Sequence, residues 1–120
     1  MNTIAFTTAG QELAAALDPR FGRAANFLIY DTDQKTTRII ENQQGRSASQ
    51  GAGIQAAETI VRAGVDALVT GHCGPKAFKV LDAAGVKVFN CTAATVDEAL
   101  QQLQAGKLTA AENSDVEGHW

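Results

Sequence analysis

Two side chains able to ligate a soft metal or act as nucleophiles stand together in the stretch Thr70-Gly71-His72-Cys73-Gly74-Pro75-Lys76. A thiolate at a helix start is the chemistry of cysteine-dependent phosphoryl transfer. Beside an imidazole it is also a donor for Cu(I) or a metal-sulfur cluster. The apolar run Ala67-Leu68-Val69 leads in, and Ala77-Phe78-Lys79-Val80-Leu81 leads out with helical spacing. The stretch therefore reads as a loop between a buried strand and a helix N-terminus, where backbone N–H groups lack intrahelical partners and favour an anion.

Each reading has a bland competitor. His72-Cys73 with Lys79 six positions after the cysteine approximates the H-C-x5-R pattern of cysteine phosphatases. Lysine lacks the bidentate clamp of arginine, Pro75 removes one N–H from the cradle, and no aspartate stands out as the general acid. One histidine and one cysteine also fall short of a closed zinc site. A buried Cys73 with His72 capping the helix is the structural alternative, since adjacent donors rarely reach one ion. Cys91 reads as core or pocket wall, and His119 as solvated. The Gly-rich residues 47–53 lack both phosphate-binding glycine spacings. They read as a flexible loop, or more sharply as a lid over a bulky ligand.

The elements that must position these groups follow from patterning. Residues 3–8 suit a central strand. Residues 10–17 contain Leu13-Ala14-Ala15-Ala16-Leu17, a helical composition that Asp18-Pro19 stops within two turns. Residues 26–31 and 36–41 form a hairpin around Thr32-Asp33-Gln34-Lys35. After the loop of residues 42–53, Ile54, Ala57, Ile60 and Val61 give helical spacing closed by Gly64. Strand 67–70, helix 75–84 with Pro75 at its first position, and strand 86–89 come next. The last helix opens on the capping box Thr95-Val96-Asp97-Glu98 and presents Val96, Leu100 and Leu103 on one face. The expected domain covers residues 1–108, and residues 109–120 form a polar, frayed tail in which Trp120 could dock.

This order implies an α/β domain with a mixed sheet of about five strands, order 3-2-1-4-5. Four strands then end at one edge, and the entrance to the second, Asp18-Pro19-Arg20-Phe21-Gly22-Arg23, lies there too. Ligands of open α/β sheets bind outside the carboxyl ends of strands, here between strands one and four. The chain has 120 residues, 10 Lys and Arg against 13 Asp and Glu, and a net charge of -3. Such a balance argues against a general nucleic-acid or membrane surface, so an anion site must be local. Arg20, Arg23, Arg46 and Lys76 supply it. Cys73 and Cys91 follow adjacent parallel strands about 4.8 Å apart and are expected to face one pocket. With no spanning segment and only two cysteines, a cytoplasmic setting is expected.

Asp18-Pro19-Arg20-Phe21-Gly22-Arg23-Ala24, Gly51-Ala52-Gly53 before a helix, and Gly64-Val65-Asp66-Ala67-Leu68-Val69-Thr70-Gly71 with Gly74-Pro75 carry a resemblance. Over residues 1–107 the chain resembles the dinitrogenase iron-molybdenum cofactor biosynthesis family. That family includes NifX-like carriers, the C-terminal region of NifB, and molybdenum-copper cluster proteins of the orange-protein type. The resemblance implies an RNase H-like three-layer fold and a non-enzymatic carrier or scaffold that binds an anionic metal-sulfur cluster of the molybdenum-iron or molybdenum-copper type. It implies binding through Arg20, Phe21, Gly22 and Arg23, through Ser49 and Gly51, and through Gly71, His72, Cys73, Gly74, Pro75 and Lys76. Many members lack a cysteine where Cys73 stands, so thiolate ligation by Cys73 with His72 stays open. A cluster donor or acceptor protein is the partner implied. A phosphatase using Cys73 and a non-catalytic protein-interaction module are the alternatives. A nuclease fits less well, because residues 3–8 hold no carboxylate for a two-metal site.

Overall fold

The computed structural model describes residues 2–42 and 51–112. The expectations for Arg46, Ser49, His119, Trp120 and the glycine-rich run through residue 50 lie outside the described residues. Among the described residues the order is β1 (Thr3–Thr8), β2 (Asn26–Asp31), β3 (Thr36–Glu41), α1 (Ala52–Ala63), β4 (Ala67–Thr70), α2 (Pro75–Ala83), β5 (Lys87–Asn90) and α3 (Val96–Gln104). No described helix is long and apolar enough to cross a membrane.

The five strands form one mixed sheet in the order β3-β2-β1-β4-β5, as the sequence implies. β2 runs antiparallel to both β1 and β3, whereas β4 lies parallel to both β1 and β5. Side-chain alternation splits the core into two layers. Ala5, Phe27, Ile29, Leu68 and Val88 pack with Ala56, Ala57 and Ile60 of α1 and Ala77 and Leu81 of α2. Ile4, Phe6, Leu28, Tyr30, Ala67 and Val69 pack on the other side with Val96, Ala99, Leu100 and Leu103 of α3. The sheet is thus covered by helices on both faces. A fully buried side chain such as Phe6 contributes roughly 2 kcal/mol. These two layers, rather than the loops, anchor the strand ends.

Three local expectations need correction. α1 buries Ala52, Gly53, Ala56, Ala57 and Ile60, while Val61 is exposed and Ile54 only half-buried. Small residues let this helix lie close to the sheet and to α2, and that rotates the buried stripe away from the larger side chains. Residues 10–17 form turns and bridges, not a helix: Leu17 pairs with Thr8 and Ala16 with Thr95. Their carbonyls are taken by other elements, since Leu13 accepts from Asp97 and Ala15 from Val96. Finally, the tail does not fray from its start. Ala110 pairs with Phe89, and the Ala111 N–H donates to the Val88 carbonyl at 2.7 Å, covering part of the β5 edge.

Candidate anion-binding site

The carboxyl edge of the sheet is crossed by residues 18–24, and buried hydrogen bonds fix their path. The Thr7 hydroxyl at the end of β1 donates to the Asp18 carbonyl at 2.6 Å and shares a 2.9 Å hydrogen bond with the Thr70 hydroxyl of β4. Both threonines are fully buried. Asp18 N–H returns a bond to the Thr7 carbonyl at 2.7 Å. The chain then runs beside the start of the β4–α2 loop, with His72 N–H donating to the Pro19 carbonyl at 2.8 Å and Phe21 N–H to the His72 carbonyl at 3.3 Å. This short parallel bridge sets Arg20 alongside His72. It needs glycine at Gly71, because a Cβ there would meet the Pro19 Cα at 2.6 Å and its carbonyl oxygen at 2.7 Å.

Arg20 and His72 are exposed, as Lys76 is, and Arg23 is half-buried. Asp18 Oδ1 accepts from the Arg20 N–H at 2.9 Å and lies 3.8 Å from Arg20 Nε. The ordinary surface pairing of Arg20 with Asp18 is therefore present. Asp18 is largely covered but the Arg20 side chain is 57% exposed, and at 3.8 Å such a pair contributes about 0–1 kcal/mol. Asp31 serves the hairpin turn instead, accepting from Asp33 and Gln34 N–H groups at 2.9 and 3.0 Å.

Gly22 is pressed against the start of α1, where a Cβ would meet the Gly53 nitrogen at 2.9 Å. Phe21 turns inward, 1% exposed, with its ring centroid 5.7 Å from that of Phe27. It anchors the loop rather than facing a ligand. Residues 19–23 thus lie between two helix N-termini. α1 begins at Gly51 in the left-handed region, φ 75°, and α2 at Gly74 followed by Pro75. Among the described residues neither has a side-chain cap, and neither has an acidic residue in its first turn. The partial positive charge of these helix ends is left unneutralised by the described chain. Asn90 Nδ2 donates to the Gly71 carbonyl at 3.0 Å and closes the far side of the loop.

Cys73, left open as a soft ligand, is buried, and Cys91 is core as the sequence reads. Cys73 is 1% exposed, lies in the core layer with Phe21, Ala57 and Leu81, and its thiol donates to the Gly74 carbonyl at 3.7 Å. His72, its neighbour, is exposed, so the two side chains diverge. Cys91 lies in the opposite core layer, with its thiol 3.4 Å from Gln102 Oε1. The two cysteines therefore do not face one pocket: the sheet separates them. Among the described residues no group of three or more His, Cys, Asp or Glu side chains is placed to hold a metal ion. What the described residues bring together here is backbone N–H groups and cationic side chains, Arg20, Arg23 and Lys76.

Sequence reading assigned no role to Thr7, Thr70 or Asn42. Asn42, 1% exposed, donates from Nδ2 to the Gly22 carbonyl at 3.2 Å and the Ala24 carbonyl at 2.8 Å. The available signal was polar residues at the ends of three strands, where apolar ones would pack equally well.

The model of a family described as dinitrogenase iron-molybdenum cofactor matches residues 2–106. An uncharacterized protein of Methanocaldococcus jannaschii is 34% identical over 95 residues, covering 77% of this chain and 80% of its own. The apo form of the orange protein from Desulfovibrio gigas superposes with a TM-score of 0.93 at 38% identity, over 97% of this chain and 98% of that one. A candidate NifB protein from Thermotoga, solved by NMR, superposes with a TM-score of 0.83 at 32% identity over 98% and 100% of the two chains.

Proposed function

We propose, from the premise that this chain belongs to the dinitrogenase iron-molybdenum cofactor family, that it is a small non-enzymatic carrier whose cargo is an anionic, molybdenum-containing metal-sulfur cluster. The observation that carries the reading is the pair of uncapped, acid-free helix N-termini flanking residues 19–23 at the switch between β1 and β4. An anion placed there gains from both helix ends and from Arg20, Arg23 and Lys76. Gly22 and Gly71 let the backbone segments around it pack against Gly53 and Pro19, Gly51 and Gly74 open the two helices, Pro75 leaves the first helical position without an N–H, and exposed His72 lines the rim. Ser49 belongs to the same set by the resemblance.

The donor chemistry favours noncovalent holding. A bulky thiometalate spreads its charge over many sulfurs and suits several weak N–H and cationic contacts, whereas the buried Cys73 thiol gives it no ligand. Burial also withholds the Cys73 thiol from phosphoryl transfer. Release to an acceptor protein then requires no bond cleavage, which is the property a delivery protein needs.

Anaerobic reconstitution tests this directly. Apoprotein incubated with tetrathiomolybdate and Cu(I), and in a parallel arm with tetrathiomolybdate and Fe(II), is desalted and its visible spectrum and metal content are measured. A stoichiometric chromophore that co-migrates with protein in one arm is expected, with at least tenfold weaker retention in Arg20→Ala/Lys76→Ala. No protein-bound chromophore in either arm overturns the proposal.

A further inference from the structure

We propose that Thr7 and Asn42 are positioning residues: two buried polar latches that hold residues 18–24 in the shape of the cradle before any cargo arrives. The segment has little secondary structure of its own apart from the bridge at Arg20 and His72. Its ends are nevertheless fixed from beneath. At one end the Thr7 hydroxyl, fully buried, donates to the Asp18 carbonyl, and the Thr70 hydroxyl shares the network. At the other, both N–H groups of the Asn42 amide are used on the Gly22 and Ala24 carbonyls.

The cost of this arrangement identifies its role. Asn42 Oδ1 is buried without a hydrogen-bond partner among the described residues. Burying an acceptor unsatisfied is unfavourable, and the amide is kept for its two donors: a leucine of similar size would remove Oδ1 but deprive the Gly22 and Ala24 carbonyls of theirs. The amide cannot flip to relieve Oδ1, because that would face an oxygen to two carbonyls. What asparagine supplies and leucine does not is a fixed distance between β3 and two carbonyls of the loop. Thr7 is comparable: valine has its shape and suits a central strand, but only the hydroxyl reaches Asp18. In both places polarity is spent on backbone carbonyls of one segment, and that segment carries Arg20 and Arg23. Preforming the loop lowers the ordering entropy lost on binding.

The role assigned to the loop rests on the anion-carrier reading, so the main readout uses apoprotein. Amide hydrogen exchange by NMR is compared in wild type, Thr7→Val, Thr7→Ser and Asn42→Leu. Exchange at Asp18, Phe21 and His72 N–H is expected to rise at least tenfold in Thr7→Val and to return to near wild type in Thr7→Ser. In Asn42→Leu the rise centres on Phe21 and Ala24. The amides of the β1, β2 and β4 interiors stay within twofold in every variant. Thiomolybdate binding weakens about tenfold in Thr7→Val and Asn42→Leu with the visible band positions unchanged, because the cargo contacts themselves are intact. Loop exchange equal to wild type in both variants overturns the proposal, and so does a parallel rise across the sheet interior. A wild-type protein that binds no thiometalate overturns the carrier reading instead, and the exchange comparison still decides the latches.

Discussion

The N-terminus of α3 and those of α1 and α2 are built in opposite ways. At α3 the Thr95 hydroxyl oxygen accepts from Glu98 N–H at 3.1 Å, the Ala15 carbonyl from Val96 and the Leu13 carbonyl from Asp97. Glu98 reaches back to Ala94 N–H at 3.2 Å, and Asp97 adds a second negative charge to the first turn. Every donor a helix start leaves over has an acceptor there. At α2, among the described residues, no acceptor reaches the N–H groups of Lys76 or Ala77, and the first-turn charge is a lysine. α1 opens on a glycine, with no side-chain cap among the described residues. One chain thus closes one helix end with four interactions and leaves two open beside a bridge of arginine and histidine. An end left open is an end available to an outside anion.

The largest effect is expected from closing the open region sterically. In Gly71→Ala the new Cβ meets Pro19 backbone at 2.6–2.7 Å, so the bridge between residues 19 and 72 must part. Overpacking of this kind costs about 1–3 kcal/mol. Urea unfolding should show a loss in that range, and thiomolybdate retention should fall below detection. Wild-type retention in Gly71→Ala would mean that the cradle is not where the anion sits.

A charge swap separates the two kinds of helix end. Lys76→Glu supplies α2 with the first-turn acid that α3 already has. It should stabilise the fold by about 0.3–1 kcal/mol while weakening thiomolybdate binding at least tenfold. Thr95→Ala does the reverse: it removes a working cap, costs about 1 kcal/mol, and leaves thiomolybdate binding within twofold. If both substitutions move stability and binding in the same direction, the distinction between closed and open ends is lost.

The sheet order, the hairpin and the α3 cap were legible in the sequence because each is written locally. Thr95 and Glu98 are three residues apart, and the turn at residues 32–35 is closed by Asp31 from inside the same hairpin. The edge that gathers the loops followed from strand order alone. Residues 10–17 were not legible, since their alanine-rich composition favours a helix while their carbonyls are claimed by α3, some eighty residues away. Nor was the burial of Cys73. A thiol at a strand–helix junction can face either way, and Cys73 joins Phe21, from the connection between β1 and β2, in one core layer. Thr7 and Asn42 escaped notice for the same reason, as their partners lie in a loop whose path only the tertiary fold defines.

At the opposite edge of the sheet the chain supplies its own anion, which measures what bare N–H groups can do for a negative charge. Asp66 Oδ2 accepts from Asn2 N–H at 2.8 Å and Thr3 N–H at 3.2 Å at the start of β1. These bonds, Asn2 first and then Thr3, hold the exposed carboxyl below its ordinary value of 3.8. Because the folded value lies below the unfolded one, the contribution to stability is complete above about pH 4 and disappears as pH falls through the lowered value. Asp66→Asn keeps an acceptor oxygen but no charge. Its stability should therefore be slightly lower than wild type at pH 7, and the gap should close on acidification toward pH 2. Carboxyl NMR titration of Asp66 and urea midpoints of both proteins between pH 2 and 7 check this. A depressed titration that persists when the N-terminal amine is acetylated shows that hydrogen-bond donors at the start of β1, the Asn2 and Thr3 N–H groups first, favour an anion on the amino edge. The uncapped ends of α1 and α2 then have a calibrated counterpart in the same molecule, and an undepressed Asp66 would leave helix-end attraction there resting on the cations alone.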